Sequence, residues 1–439
     1  MSHRRNTELA LLIMGAAITV VAYVLASLGR LAEIPANIVP FLAVILGLLL
    51  AAHIAVRRLA PRADPILLPI AGLLNGIGYV FIARLDEDLA GLQAVWALFG
   101  VIGFTATLLV VRRTRLLEQY RYTLMFIGLG LLLLPLFPVI GREINGARIW
   151  VSFGPVNFQP GEFAKIALAI FFAGYLVDKR ELLGLSSRRI LGMSIPEIRH
   201  LGPILAAWGV SLMVMYLQND LGAALLFFAL FVVLLWVSTE RPSYLVMSLL
   251  LFGAGAAFAF RTVGQIEQRV DIWLDPWADP FGDAFQIVQS SFAMADGGLT
   301  GTGIGVGTPD NIPEVETDFI FAAIGEELGL LGTTAILVAF MLMIGSGLRI
   351  AINARRPFEK LLAVGLTTLL GVQTFVILAG IVRLLPLTGV TLPFVSYGGS
   401  SLLGSWVMLA LLLRISDDVA LERGADQARA TRGLRAEVA

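Results

Sequence analysis

Apolar runs long enough to cross a lipid bilayer recur along nearly the whole chain. A span needs about 20 residues. Inside hydrocarbon every backbone N–H and C=O must be satisfied by protein, so such runs fold as helices. They place helices near 8–28, 36–56, 66–84, 92–111, 121–140, 163–177, 201–216, 221–238, 243–260, 318–348, 361–383 and 398–414. Composition agrees: 57% of the 439 residues are hydrophobic and 15% charged, where a soluble domain carries about 25% charged residues. The expected class is an all-α polytopic integral membrane protein of about twelve helices.

Charge sets the expected orientation. With the N-terminus inside, inward segments hold 24 of the 32 Lys and Arg, among them Arg57, Arg58, Arg62, Arg112, Arg113 and Arg115. Cytoplasmic loops carry such an excess, so both termini are expected in the cytoplasm. The first run follows Arg4 and Arg5 without a small-residue cleavage site, which reads as a retained signal anchor. The formal net charge is zero, so bulk basicity does not point to nucleic acid. Cysteine is absent, which excludes disulfides and thiolate metal sites. Residues 416–439 are polar and mixed in charge, and read as a disordered cytoplasmic tail.

The polar motifs gather in segments expected to face outward. One is 141–162, which contains Gly146-Ala147-Arg148-Ile149-Trp150 and leads into Gln159-Pro160-Gly161-Glu162-Phe163-Ala164-Lys165. Glu162 and Lys165 stand three apart on a starting helix, a spacing that allows an ion pair. They are either a lock on the helix end or a polar floor for a substrate headgroup. In Gln218-Asn219-Asp220-Leu221-Gly222 the aspartate reads as an N-cap. Residues 261–317 form the longest polar stretch, with nine acidic residues against Arg269 and Arg261. Trp273, Trp277, Phe281, Phe285 and Phe292 argue for a folded loop at the bilayer surface. The glycines of 297–305 could cradle a phosphate through their N–H groups. They lack a Walker lysine, so a tight surface loop is the simpler reading. Near the end, Pro386, Pro393, Gly398, Gly399 and serines 396, 400 and 401 predict an irregular re-entrant segment. Such backbone is tolerated at membrane depth where it lines a wet cavity or is buried in protein.

Asp318 lies where the long acidic loop meets the apolar run ending near residue 348. A carboxylate at the mouth of a membrane helix is costly unless paired or wetted, and is a functional candidate for that reason. Histidines 3, 53 and 200 fall on or near the inner side and make no metal site, and a Gly-x-Ser-x-Gly elbow is missing. What remains is an outward carboxylate with flanking cations and apolar walls. That suits acid–base chemistry on an anionic substrate with a lipid tail.

Together these segments resemble the SEDS family, the bacterial shape, elongation, division and sporulation proteins that include RodA and FtsW. The likeness runs from about Asp64 to Ile415 through Gly146–Trp150, Gln159–Lys165, Gln218–Gly222, Asp275–Gln286, Gly297–Gly305, Pro313–Gly329 and Leu392–Ser401, in the family's order. It implies a ten-helix core over 64–415, carrying the large extracytoplasmic loop 261–317, with residues 1–63 as an added helix pair. It implies a peptidoglycan glycosyltransferase that polymerises lipid II at the outer face of the plasma membrane, beside a class B penicillin-binding protein as transpeptidase. The Arg-Leu-Leu-Pro-Leu-Thr-Gly stretch and the added pair stand nearer the RodA branch, which serves elongation, than the FtsW branch. Alternatives from other classes are a lipid II flippase and a scaffold.

In this likeness Asp318 matches the family's catalytic aspartate of its Thr-Asp-Phe motif, and Trp150 the tryptophan of Gly-Ala-Arg-x-Trp. The expected substrate-binding set is Arg148, Trp150, Gln159, Glu162, Lys165, Arg269, Gln286, Ser396, Tyr397 and Ser400. Arg383 is a further candidate for diphosphate charge. A divalent cation could share that task with loop carboxylates as ligands, although the spacing demands none. The chain departs from the family at Glu316, where histidine is common, at Gly161, where serine is usual, at Ile377, near a frequent asparagine, and at Arg383, where a small residue is usual.

Overall fold

The computed structural model describes residues 2–32, 38–144, 146–154, 156–184, 188–190, 193–195 and 198–438. Helices α1 (Ser2–Leu31), α2 (Ile38–Leu59), α3 (Leu67–Leu85) and α4 (Glu87–Val110) open the bundle. A short α5 (Arg115–Gln119) leads into α6 (Arg121–Leu133). Strands β1 (Gly141–Ile144), β2 (Ala147–Phe153) and β3 (Val156–Phe158) precede α7 (Gly161–Gly184). A small hairpin of β4 (Arg188–Ile190) and β5 (Met193–Ile195) follows, then α8 (Ile198–Leu217), α9 (Leu221–Thr239) and α10 (Pro242–Thr262). The long loop contains α11 (Gly264–Leu274) and α12 (Phe285–Gly297), and α13 (Ile320–Asn353), α14 (Pro357–Ile381) and α15 (Gly399–Val438) complete the chain.

Each of the twelve expected spans coincides with a helix, although residues 36 and 37 of the second lie outside the described residues. Among the described residues nine helices are long and apolar enough to cross a membrane. The run of α6 is shorter than the expected 121–140. Pro135 carries no N–H, and the chain tightens into a 3-10 turn over Leu134–Leu136 before entering the sheet. The expected disordered tail is instead the continuation of α15 to Val438. Ala, Leu, Glu and Arg dominate there and are strong helix formers. The first turns of this extension are also packed: Ser416 and Asp417 are buried and accept hydrogen bonds from the α2–α3 link.

Burial sorts the helices. Residues of α3 are almost all enclosed, as are most of α14, whereas α10 buries only Tyr244 and Ser248 and leaves Leu249 and Leu250 exposed. An apolar helix exposed nearly all round fits a lipid-facing position at the rim of the bundle. The added pair is fastened by polar contacts. His53 Nδ1 on α2 lies 2.7 Å from Glu8 Oε1 on α1. Arg5 binds both Glu8 and the carbonyl of Ala63, at the entry to the core.

Candidate active site

Residues 141–158, expected only as an outward polar segment, fold into an antiparallel sheet in the order β1-β2-β3. Gly141 pairs with Val151, Arg142 with Trp150, and Ser152 with Asn157. Gly146, at φ 75, makes the first turn. The sheet is tied to the turn between α8 and α9 by Arg148 N to the Gln218 carbonyl, 2.9 Å, and by Asn219 Nδ2 to the Gly146 carbonyl, 3.2 Å.

Asp318 lies two residues before α13 and opens into a cavity of about 320 Å³. Arg269 and Trp273 of α11, Gln286 of α12, and Glu314 and Gly389 also line it. Gly389 has φ 72, a left-handed conformation open to glycine. A methyl group there would stand 3.7 Å from both Arg269 Nη2 and Asp318 Oδ2. The bare backbone at 389 thus leaves the space between guanidinium and carboxylate open.

Burial raises the Asp318 carboxyl, and Glu314 adds to the rise. Arg269 opposes both, and the balance stands at about 6. A carboxylate poised there accepts a proton at neutral pH better than an ordinary aspartate does. Burial pulls Arg269 below the usual arginine range, against the pull of Asp318 and Asp220. Asp220 caps α9 as expected, its Oδ1 accepting from Ala223 N at 2.9 Å. Its own carboxyl is raised by burial, and it feels Glu162, Lys165 and Arg269. It therefore stands electrostatically between two polar groups.

The second group is Lys165, whose Nζ lies 2.8 Å from both Glu162 Oε2 and Gln373 Oε1. Gln373 Nε2 donates to the Thr391 carbonyl at 2.8 Å. The lock reading of Glu162–Lys165 has its pair here, and the pair ties α7 to α14 and, through Gln373, to the irregular segment. Of the expected binding residues only Arg269 and Gln286 line the Asp318 cavity. Arg148 and Trp150 lie on β2, and Glu162 and Lys165 form their own cluster. Gln159 N donates to Ser400 Oγ at 2.9 Å, Leu392 N to Ser396 Oγ at 2.9 Å, and Tyr397 N to the Glu316 carbonyl at 2.8 Å. Ser396, Ser400 and Tyr397 thereby shape the irregular segment from within, and Leu392, Phe394 and Val395 are buried. Arg383 turns to α11, its carbonyl accepting from Trp273 Nε1 at 3.0 Å.

The glycine-rich loop does not present its N–H groups to a phosphate. Thr302 N and Gly303 N donate to the carbonyls of Glu326 and Glu327 at 2.9 and 3.1 Å. Thr308 N donates to Glu326 Oε1 at 2.6 Å, and Gly305 N to Glu327 Oε2 at 3.0 Å. The helix they embrace is broken at Gly329, whose φ 64 and ψ −165 are non-helical. The N–H groups of Leu330 and Leu331 turn to the carbonyls of Gly298 and Leu299. The first piece, Ile320–Glu327, is wholly buried and carries Asp318 at its entrance. Arg84 of α3 completes the clamp: its Nε lies 2.6 Å from Glu327 Oε1, its Nη1 2.8 Å from Asp310 Oδ2. Asp283, Glu314, Gln265 and Gln268 of the cavity, and the Arg84–Glu327 clamp, escaped the sequence reading. The available signal was the doublet Glu326-Glu327, two acids inside an apolar run.

Among the described residues no group of three or more His, Asp or Glu side chains is spaced to hold a metal ion.

A profile of the family described as "Cell cycle protein", FtsW/RodA/SpoVE, matches residues 79–420. The chain belongs to this family. It is 45% identical over 424 residues to the peptidoglycan glycosyltransferase RodA of Mycobacterium tuberculosis, covering 94% of this chain and 90% of the relative. It is 35% identical over 341 residues to a probable peptidoglycan glycosyltransferase FtsW of Geobacter sulfurreducens, covering 77% and 86%. The fold resembles a chain solved in a peptidoglycan synthase complex, with TM-score 0.66, 28% identity and coverage of 81% and 98%. It also resembles the rod shape determining protein RodA of Thermus thermophilus, with TM-score 0.58, 27% identity and coverage of 81% and 97%. FtsW/RodA/SpoVE membership agrees with the order of motifs in the sequence. The match begins after α1 and α2, so both helices lie outside it.

Proposed function

We propose that this chain polymerises peptidoglycan glycan strands from lipid II at the outer face of the plasma membrane, in the elongation role of RodA. Asp318 is the general base. The observation that carries the reading is the Asp318 carboxyl, raised to about 6 and facing Arg269 across the open space at Gly389. Likeness to the mycobacterial RodA over 94% of the chain supports the substrate class.

The growing glycan on its polyprenyl diphosphate is the donor, and lipid II is the acceptor. The acceptor 4-hydroxyl attacks the anomeric carbon while Asp318 takes its proton. The bond from that carbon to the diphosphate oxygen breaks, and the lipid diphosphate leaves with inversion. Base assistance of this kind contributes about 10²–10⁴-fold. Arg269 faces the same cavity and meets negative charge there. Both termini lie in the cytoplasm, and a class B penicillin-binding protein cross-links the product.

Replacement of Asp318 by Asn tests the assignment. Purified Asp318→Asn should remain folded and form no polymer from labelled lipid II. Polymer at the wild-type rate would remove Asp318 as base. A flippase would keep its transport in this variant, and a scaffold would keep its partner.

A further inference from the structure

A second cavity lies far from Asp318, at the opposite end of α13. It measures about 800 Å³ and is walled by the α2–α3 link, the far end of α13 and the start of the α15 extension. Arg349 stands twenty residues past the kink, about 30 Å along the helix at 1.5 Å per residue, which is the thickness of the hydrocarbon core. The arginine excess of the inward segments assigns this end to the cytoplasmic leaflet.

Its polar lining is Arg62, Arg349, Arg423, Asp64, Asn353 and Ser416: three guanidinium groups against one carboxylate. Arg349 Nη2 lies 2.6 Å from Asp64 Oδ2, and Arg423 Nη2 donates to the neutral Asn353 Oδ1 at 2.7 Å. Asp417, behind the wall, accepts from Arg62 N at 2.7 Å and lies 3.6 Å from Arg414. The charges of Arg62 and Arg414 both act on Asp417, and Arg349 is met by Asp64, so Arg423, whose partner Asn353 is neutral, carries the surplus positive charge of the lining.

The walls are also fixed in place. Asp64 N donates to Ser416 Oγ at 2.9 Å. Arg414 donates to the carbonyls of Leu59 and Leu108 at 2.9 and 2.7 Å, which joins α2, α4 and α15. On the face of α13 that carries Arg349, Val338 and Leu342 are exposed, at helical spacings that put them in line with it. A hydrocarbon chain lying along that face ends at Arg349.

We propose that this cavity binds the phosphate group of an anionic membrane lipid, with the acyl chains along α13. Basic pockets between helices at the cytoplasmic surface recognise such headgroups. The same chemistry would accept free phosphate, so the test separates the two sources.

Full-length protein is placed in nanodiscs of phosphatidylcholine with a small fraction of phosphatidylglycerol, and lipid retention is read by native mass spectrometry. The wild type should retain one phosphatidylglycerol in preference to phosphatidylcholine. Each arginine removed should weaken retention about fivefold. Arg423→Gln is the first variant, because its partner Asn353 is neutral and its loss leaves no buried charge. Arg349→Lys keeps the charge and should retain the lipid. Phosphatidylglycerol should raise the thermal midpoint of wild type but not of Arg423→Gln. Equal retention of both lipids, or an unchanged Arg423→Gln, would overturn the site. Protection by inorganic phosphate equal to that by phosphatidylglycerol would overturn the lipid as its ligand.

Discussion

Replacing Arg269 by Gln should move the acid side of the pH–rate profile. A base works deprotonated, so the rate falls as pH drops through its pKa, about 6 for Asp318. Arg269 favours the charged carboxylate, so its removal raises that pKa further and the acid limb shifts to higher pH. Arg269 Nη2 and Asp318 Oδ2 each lie 3.7 Å from one point, so they are at most twice that distance apart. Two unit charges about 7 Å apart at an effective dielectric of about 20 interact by about 2 kcal/mol. With about 1.4 kcal/mol per pH unit, the limb should rise by about one and a half units or more. The assay is kcat/KM for polymerisation of labelled lipid II between pH 5 and 9, which reports groups of the free enzyme. The plateau should also fall, because Arg269 lines the Asp318 cavity, so the position of the limb is the diagnostic quantity. Arg269→Lys keeps the charge and should keep the limb. A limb that stays near pH 6 in Arg269→Gln, or moves down, would refute the coupling.

The clamp and the added helix give two further predictions. Glu327→Gln removes a buried partner of Arg84 and should cost about 3–5 kcal/mol, whereas Asp310→Asn, on the exposed partner, should cost no more than about 1 kcal/mol; thermal unfolding in detergent compares them, and equal losses would discard the clamp. A Cβ on Gly29 of α1 would stand 2.3 Å from the Ile304 carbonyl, so Gly29→Val should push the loop that holds Glu327, at about 1–3 kcal/mol, and lower polymerisation, while Gly91→Ala, with open space around it, should change neither reading.

Helices were legible because hydrocarbon permits little else. The long apolar runs announced them, and Asp318 declared itself by interrupting that pattern. The sheet of 141–158 was hidden, since its strands are short and their partners depend on turns at Gly146 and Gly154. The kink at Gly329 was hidden too, because Leu330 and Leu331 look like ordinary helix positions until the 298–299 carbonyls capture their N–H groups. For Ser396 and Ser400 the tertiary fold alone showed that their hydroxyls accept the backbone N–H groups of Leu392 and Gln159.

By itself the sequence determined that this is a polytopic helical membrane protein with a long acidic loop and a carboxylate where that loop meets an apolar helix. Hydropathy and charge count are local sums, and they need no knowledge of what packs against what. Tertiary structure decided which polar residues share a cavity. Arg269 and Asp318 stand 49 positions apart in sequence, and Gly389 lies between them in space. Only the folding of α11 and the 383–398 segment against the entrance of α13 brings the three together. That contact sets a buried carboxylate with a raised pKa across from a guanidinium.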